Sequence, residues 1–318
     1  MQQAVDPAAL AGWMDREGLG AGPLSEMRAL AGGTQNILLR FRRGERDYVL
    51  RRPPPHLRAN SNETMRREAR VLGALAGTNV PHPRLIAACG DESVIGAAFY
   101  LMEPVEGFNA TTGLPALHAG SESVRRRMGL ALVEGIAALG ALDYRALGLE
   151  GLGKTDDYLE RQVARWKAQL ASYAEFPDWE GPGGIPGVER VAGWLAANRP
   201  STFLPGIIHG DYHLANVMYR FDSGELAAIV DWELTTIGDP LVDLGWVLAT
   251  WPEGDPPSVD AVAVRPWQGF PTADELVAHY APRTQRDLSS LTWYAVLACY
   301  KLGIILEGTH ARASAGKA

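Results

Sequence analysis

The chain has 318 residues, 47% hydrophobic and 21% charged, which excludes global disorder and is long enough for two packed lobes or domains without crosslinks. Thirty basic against 37 acidic side chains leave a net charge of -7 with no block of Lys/Arg, so a nucleic-acid surface is not expected and a small-molecule partner is. The two cysteines, Cys89 and Cys299, have no Cys-x-x-Cys spacing and no histidine-rich neighbours, so neither a disulfide framework nor a structural zinc site is read and a reducing compartment fits.

The opening MQQAVDPAAL lacks a basic segment leading into an apolar one, so no secretory signal is expected and a cytoplasmic protein is. Asp6 before Pro7 reads as a helix N-cap with the favoured first residue, and Leu10, Trp13 and Met14 supply an apolar stripe. Strand signals follow at 37–41, 47–50 and 98–102. Between them, residues 64–76 carry Met65, Ala69, Leu72 and Leu75 at helical spacing, with Glu68 on or beside the buried stripe.

After Pro104 the pattern turns helical. Val124, Met128, Leu132, Ile136 and Leu139 predict one long helix, and Leu159, Val163, Trp166, Leu170 and Tyr173 another. The basic run Arg125 to Arg127 reads as a solvated helix face. Residues 176–187 read as a loop and 188–197 as a short helix. Thr272 and Glu275 form a capping box, and Asp287 is the expected cap of a last helix whose apolar run, 291–306, is too short for a membrane span and carries Lys301. The tail after Gly308 reads as frayed. Charge is uneven in kind: residues 1–106 hold 13 basic and 12 acidic side chains but no lysine, and the first lysine is Lys154.

The chemistry concentrates in residues 207–243. A strand-like Ile207-Ile208 runs into His209-Gly210-Asp211, with Asn216 five residues after the aspartate. Residues 217–220 and 226–230 then flank the turn signal Asp222-Ser223-Gly224, so Asn216 and Asp231, at the open end of a hairpin, should face each other. Two hard oxygen donors at one place suit Mg²⁺, and Asp211 is placed beside a metal-bound phosphate as a carboxylate able to accept a hydroxyl proton. At this chain's own residue frequencies, H-G-D-x-x-x-x-N arises by accident roughly once per thousand chains of this length.

These residues resemble the aminoglycoside phosphotransferase family of the protein-kinase-like superfamily, closest to the branch related to acyl-CoA dehydrogenase-fused domains, which the run from Arg161 to Trp166 and Val230-Asp231-Trp232-Glu233 also resembles. The resemblance implies an α+β, bilobal protein-kinase-like fold, with a nucleotide lobe of mostly antiparallel sheet plus helix over 1–104 and a mainly helical catalytic and substrate lobe over 105–318. It implies ATP and Mg²⁺ as cofactors, transfer of the γ-phosphate to a small-molecule alcohol, Asp211 as catalytic base, and Asn216 and Asp231 as metal ligands. Asp243 would brace the catalytic loop. Ala215 stands where the family's antibiotic kinases often have Gly. Gly33, Thr34 and Asn36 would belong to the phosphate-covering loop, and Arg51 would stand where kinase-like proteins keep a phosphate-binding Lys, paired with Glu68. Alternation puts Val49 on the Arg51 face as a roof for adenine and turns Arg52 away. Glu103 and Val105 would offer main-chain groups to the adenine edge. The acceptor expected from this branch is a hydroxyacyl compound or another small non-antibiotic alcohol, with no nucleic acid or membrane as partner and no oligomeric state readable.

Two rivals use the same residues. On an extended strand His209, Asp211 and His213 would point one way and could bind a hydrolytic metal, but this leaves Asn216, the hairpin and Asp231 idle. A nucleotide-binding module without turnover is the other, suggested by Arg51 in place of Lys. Retention of Asp211, Asn216 and Asp231 argues against it.

Overall fold

Period-2 burial builds the N-terminal lobe. The computed structural model describes residues 5–30, 36–176, 179–252 and 262–316, so Gly33 and Thr34 lie outside the described residues. β1 (Leu24–Ala29), β2 (Ile37–Arg43), β3 (Arg46–Arg52), β4 (Leu85–Cys89) and β5 (Phe99–Met102) form an antiparallel sheet in the order β1-β2-β3-β5-β4. Leu39 pairs with Leu50, Phe41 with Tyr48 and Leu50 with Leu101, so these side chains share one face. That face packs on α1 (Pro7–Arg16), with the Trp13 ring edge-on to Phe99 at 4.8 Å. The expected cap of α1 is formed, Asp6 Oδ1 accepting from the N–H of Ala8 at 2.8 Å.

On the opposite face Val49 lies across from Met102 and Arg51 across from Tyr100. α2 (Ser61–Leu75) covers it and buries Met65, Glu68, Ala69 and Leu72, so Glu68 belongs to the buried stripe. β1 and β4, absent from the sequence reading, are the two edges of the sheet. β1 is mostly exposed and bulged between Ser25 and Arg28, and β4 is short and rich in alanine, so neither shows clean alternation.

In the C-terminal lobe α3 (Ala116–Gly120) precedes α4 (Glu122–Ala141), whose Met128, Leu132, Ile136 and Leu139 are buried as their spacing predicts. α5 (Tyr158–Ser172) and α6 (Val188–Ala197) follow. Two antiparallel ribbons come next: β6 (Gly206–Ile208) pairs with β9 (Thr236–Gly238), and β7 (Val217–Tyr219) with β8 (Leu226–Ile229). α7 (Leu241–Thr250), α8 (Ala273–Tyr280) and α9 (Leu291–Ser314) close the lobe, and the capping box of α8 is present on both sides.

Several local expectations are corrected. α9 runs 24 residues, long and apolar enough by composition to cross a membrane, so the length argument fails. Its packing against α5, α6 and α7 is what makes it a core helix. It does not fray after Gly308, which is buried against the Tyr173 ring, and Asp287 does not cap it but accepts from the Ser289 N–H at 2.9 Å, one turn too early. α7 was not read as a helix at all. In the basic run only Arg126 fits a solvated face: Arg125 is buried and donates to the carbonyls of His118 and Ala119, and Arg127 grips Glu134 and Glu225 at 2.6 Å each.

Two glycines of α9 test this packing with opposite signs. A Cβ at Gly303 meets nothing within 4 Å, whereas one at Gly308 would lie 2.3 Å from the Tyr173 hydroxyl. Gly303→Ala is expected to raise stability by about 0.5–1 kcal/mol through helix propensity. Gly308→Ala is expected to lower it by about 1–3 kcal/mol, because the Tyr173 ring must move. Urea unfolding of both variants checks the two signs.

Candidate active site

The loop between β6 and β7 is held by side chains on three sides. Asp243, in the first turn of α7, accepts from the backbone N–H of His209 at 2.6 Å and of Gly210 at 2.9 Å, the brace expected of it. His209 is fully buried; its Nε2 lies 2.9 Å from the Val230 carbonyl, and its Nδ1 accepts the Asp211 N–H at 3.4 Å. Burial holds this imidazole below its ordinary pKa, and both ring nitrogens are spent on backbone. Gly210 sits at φ 88°, and a Cβ there would meet the Leu234 carbonyl at 2.6 Å, so only glycine allows this approach.

Asp211 follows. Its Oδ2 and its carbonyl accept from Asn216 Nδ2 at 3.0 and 2.8 Å, and Oδ1 lies 3.4 Å from His213 Nε2. Burial pushes this carboxyl up, but His213, Lys301 and His209 outweigh it and hold it down at about 2. It is therefore a carboxylate at neutral pH. Asn216 lies across the ribbon from Val230, whose N–H its carbonyl accepts at 2.9 Å. Asp231 comes one residue beyond, at φ 66°, so the hairpin end places Asn216 and Asp231 one step out of direct opposition. The pair still offers an amide oxygen and a carboxylate in adjacent positions, a hard donor set that fits Mg²⁺.

That turn carries Asp231 to Arg51. Arg51 Nη2 donates to Asp231 Oδ1 at 2.6 Å and to Glu68 Oε1 at 3.3 Å, while Nε lies 2.9 Å from Glu68 Oε2. Tyr100, opposite Arg51 on the ladder, donates its hydroxyl to Glu68 Oε2 at 2.8 Å. Burial opposes the Arg51 charge, but Glu68, Tyr100 and Asp231 outweigh it and raise its pKa, whereas burial pushes the Glu68 carboxyl up. The neighbouring arginines of α2 do not compete for Glu68. Arg66 bonds Gly90 and Glu92, Arg67 the carbonyls of Leu152 and Thr235, and Arg70 those of Gly148 and Glu150. Arg52 faces the other way, as its register requires, but is buried with Nη1 on the Ile95 carbonyl at 2.9 Å.

Asn36 Nδ2 reaches across to Glu233 Oε2 at 3.2 Å, which ties the entry to β2 to the loop after Asp231. Val49 is buried on the Arg51 face. The Glu103 N–H is taken by the Arg84 carbonyl at 2.9 Å, and its carboxylate pairs with Arg46 at 3.0 Å, so the main-chain groups that could meet a base here are the Glu103 carbonyl and the Val105 N–H. The metallohydrolase constellation does not assemble: His213 Nδ1 caps the Leu214–Asn216 turn at the Ala215 N–H, and among the described residues no group of three His, Cys, Asp or Glu side chains is placed to hold a metal.

One group of the site was missed in the sequence. Lys301, on α9, donates Nζ to the Gly210 carbonyl at 2.8 Å and stands 3.8 Å from the centre of the Trp246 ring. The only sequence signal is a lone lysine in an apolar helix. Beside it, a cavity of about 80 Å³ is lined by Trp166, Trp246, Leu234, Leu297, Arg165 and Lys301, among others, and none of the lining side chains is a carboxylate. The Trp246 indole N–H is buried without a partner among the described residues.

The model of the phosphotransferase enzyme family matches residues 26–276. Acyl-CoA dehydrogenase family member 11 of Homo sapiens is 32% identical over 289 residues, covering 88% of this chain and 35% of that protein. Member 10 of Mus musculus is 30% identical over 301 residues, covering 93% and 27%. The chain thus spans about a quarter to a third of the length of these relatives. Among solved structures, a putative aminoglycoside phosphotransferase from Ralstonia eutropha JMP134 is 32% identical, with TM-score 0.82 over 99% of this chain and 91% of that one. A thermostable aminoglycoside phosphotransferase mutant, solved with AMP-PNP and hygromycin B, is 17% identical with TM-score 0.59 over 97% of each chain, a likeness of fold alone. Matched across most of its length by the family model, the chain belongs to the phosphotransferase enzyme family and is a small-molecule kinase.

Proposed function

We propose that the chain moves the γ-phosphate of ATP to the hydroxyl of a small-molecule alcohol, with residues 1–104 as nucleotide lobe and 105–318 as catalytic and substrate lobe. The observation that carries this reading is Asp211: a half-buried carboxylate held ionised, hydrogen-bonded at 3.0 Å to an amide that leaves its own oxygen for a cation. Asp211 accepts the acceptor's hydroxyl proton as the oxygen attacks phosphorus. Asn216 and Asp231 would hold Mg²⁺, which when bound neutralises phosphate charge. Arg51, kept in place by Glu68, binds phosphate oxygens; Val49 roofs the adenine, and the Glu103 carbonyl and Val105 N–H bond its edge. Gly33, Thr34 and Asn36 cover the phosphates. Cytoplasmic residence fits two free cysteines.

For the acceptor we favour a hydroxyacyl compound. The relatives named acyl-CoA dehydrogenases support it, and so does the cavity beside Asp211. Aromatic and aliphatic walls suit an acyl chain, and the Lys301 ammonium with the unpartnered Trp246 N–H suits a carbonyl oxygen. A polycationic antibiotic would meet Arg165 and Lys301 there without a carboxylate in the lining.

Three expected outcomes test the reading. Asp211→Asn should lower kcat by ~10²–10⁴ while Mg·ATP still binds, because shape is kept and the proton acceptor is lost. Near-wild-type turnover would remove Asp211 as base. Because its pKa is held at about 2, Asp211 stays ionised on acidification, so kcat should show no limb from this group between pH 7 and pH 5.

Asp231→Ala should weaken Mg²⁺-dependent nucleotide binding more than Asn216→Ala, since a carboxylate brings a full charge and an amide only a dipole. Isothermal titration of Mg·ATP into both variants ranks them, and a curve for Asp231→Ala equal to wild type would contradict the assignment.

Arg51→Lys should raise the KM for ATP, because one ammonium cannot span Glu68 and Asp231 as the guanidinium fork does. Arg51→Ala should be worse and also less stable by about 3–5 kcal/mol, since Glu68 is left buried and unpaired. Arg52→Ala should leave the KM unchanged but cost about 1–3 kcal/mol of stability, because buried carbonyls lose their donor. If Arg52→Ala raises the KM and Arg51→Ala does not, the register of β3 toward the cleft is wrong.

A further inference from the structure

We propose that Lys301 is a positioning residue for Asp211: its ammonium, hydrogen-bonded to the Gly210 carbonyl, fixes the peptide that leads into the aspartate. This rests on Asp211 being the base. The argument begins with the two peptide planes that enter Asp211. The N–H of the first, at Gly210, is held by Asp243, 2.9 Å away; the carbonyl of the second, also from Gly210, is held by Lys301 at 2.8 Å, and its N–H, from Asp211, by His209. A left-handed glycine between them would otherwise be the most mobile point of the loop. Lys301 reaches it from α9, 91 residues later in the chain, as the one side chain recorded on that carbonyl among the described residues.

The charge matters as much as the hydrogen bond. The groups facing Lys301 are Asp211 on the loop, Asp243 on α7, Arg165 and Tyr158 on α5 and Tyr294 on α9 itself. Only the two aspartates carry negative charge. Burial pushes the Lys301 ammonium down to about 8, against the pull of Asp211 and Asp243. At that value the side chain is roughly nine-tenths charged at pH 7 and one-tenth charged at pH 9. The Trp246 ring at 3.8 Å gives the cation a further partner that a neutral amine would not need. Turnover should therefore fall as pH rises through about 8, when the ammonium, and with it the loop geometry, is lost.

Two measurements test this. The first is steady-state Mg·ATP turnover with water as acceptor, from pH 6 to pH 10. Lys301→Met should lower kcat at least about tenfold at pH 7 with KM for ATP within about twofold, and Lys301→Arg should restore part of kcat and move the alkaline limb upward. Wild-type kcat in Lys301→Met, or an alkaline limb unmoved in Lys301→Arg, overturns the proposal. The second needs no activity: the chain has four lysines, Lys154, Lys167, Lys301 and Lys317, so their ¹⁵Nζ resonances can be followed by NMR. The Lys301 pKa should drop further by at least about half a unit in Asp211→Asn while that of Lys154 stays put. A Lys301 titration indifferent to Asp211→Asn overturns the pairing by itself, even if Lys301→Met fails to fold. The NMR coupling needs no turnover, so it decides whether Lys301 and Asp211 act as a pair even where the phosphotransferase reading itself fails.

Discussion

The Arg51 guanidinium is the charge around which the two lobes are arranged. It is buried and always ionised, and its partners among the described residues are anions brought by other elements. Glu68 comes from α2, Asp231 from the loop after β8, and Glu233 stands 3.9 Å away. Tyr100, forced onto the same face by the β3–β5 register, uses its hydroxyl on Glu68 and so fixes which oxygens remain for Arg51. Sheet, helix and the β7–β8 ribbon are thereby tied at one point. An isolated surface pair would contribute little to such a junction. Here the desolvated geometry means that removing any partner leaves another charge stranded, which holds the elements in one arrangement more firmly than the net gain of the pair itself.

A second constraint runs in the opposite direction along the energy scale. Folding buries Lys301 and lowers its pKa to about 8 from an ordinary value near 10.5. Between those two pH values the unfolded chain binds the proton that the folded chain has lost, so this group adds stability as pH rises through that window. The proposed role of the same group needs the proton kept. Stability and turnover therefore pull its titration apart, and the compromise is visible in its surroundings. Asp211 and Asp243 raise the pKa part of the way back, the Trp246 face tolerates a cation, and the Gly210 carbonyl gives it one direct hydrogen bond.

How much of this was legible in the sequence depends on how far apart in the chain the interacting residues are. α6, the α8 capping box, the start of α1 and the β7–β8 hairpin rest on contacts within a few residues, and their spacing showed them. Asp211, Asn216 and Asp231 were found for the same reason, since one loop and one hairpin contain them. What stayed hidden is non-local. β1 and β4 are edges whose exposure removes the alternation that would announce them, and β9 exists only because β6 is there to pair with it. Arg125 looked solvated because its acceptors, the carbonyls of His118, Ala119 and Gln268, carry no side-chain signature. Arg52 looked idle for the same reason. The one-residue offset between Asn216 and Asp231 is set by the ladder register, Val217 opposite Ile229, which leaves no mark in residue type.

The absence of lysine before Lys154 acquires a physical sense once the Arg51 cluster is in view. One cation faces Glu68, Asp231 and Glu233, so negative charge is in excess at the cleft, and the carboxyls record it. Burial and the Asp231 charge push Glu233 up, with Asp211 adding to the effect, while Arg51 pulls it back only in part. A lysine would answer this field with a single point charge whose pKa burial would lower, as it does for Lys301 at the other end of the site. Arginine keeps its charge and divides it between Glu68 and Asp231, with Nη2 donating to both and Nε close to Glu68. The residual negative potential then lies at Asp231 and Asn216, on the side away from Glu68, where a divalent cation would be drawn. The choice of guanidinium at position 51 thus sets both the anchor of the N-terminal lobe and the place where the cleft is left short of positive charge.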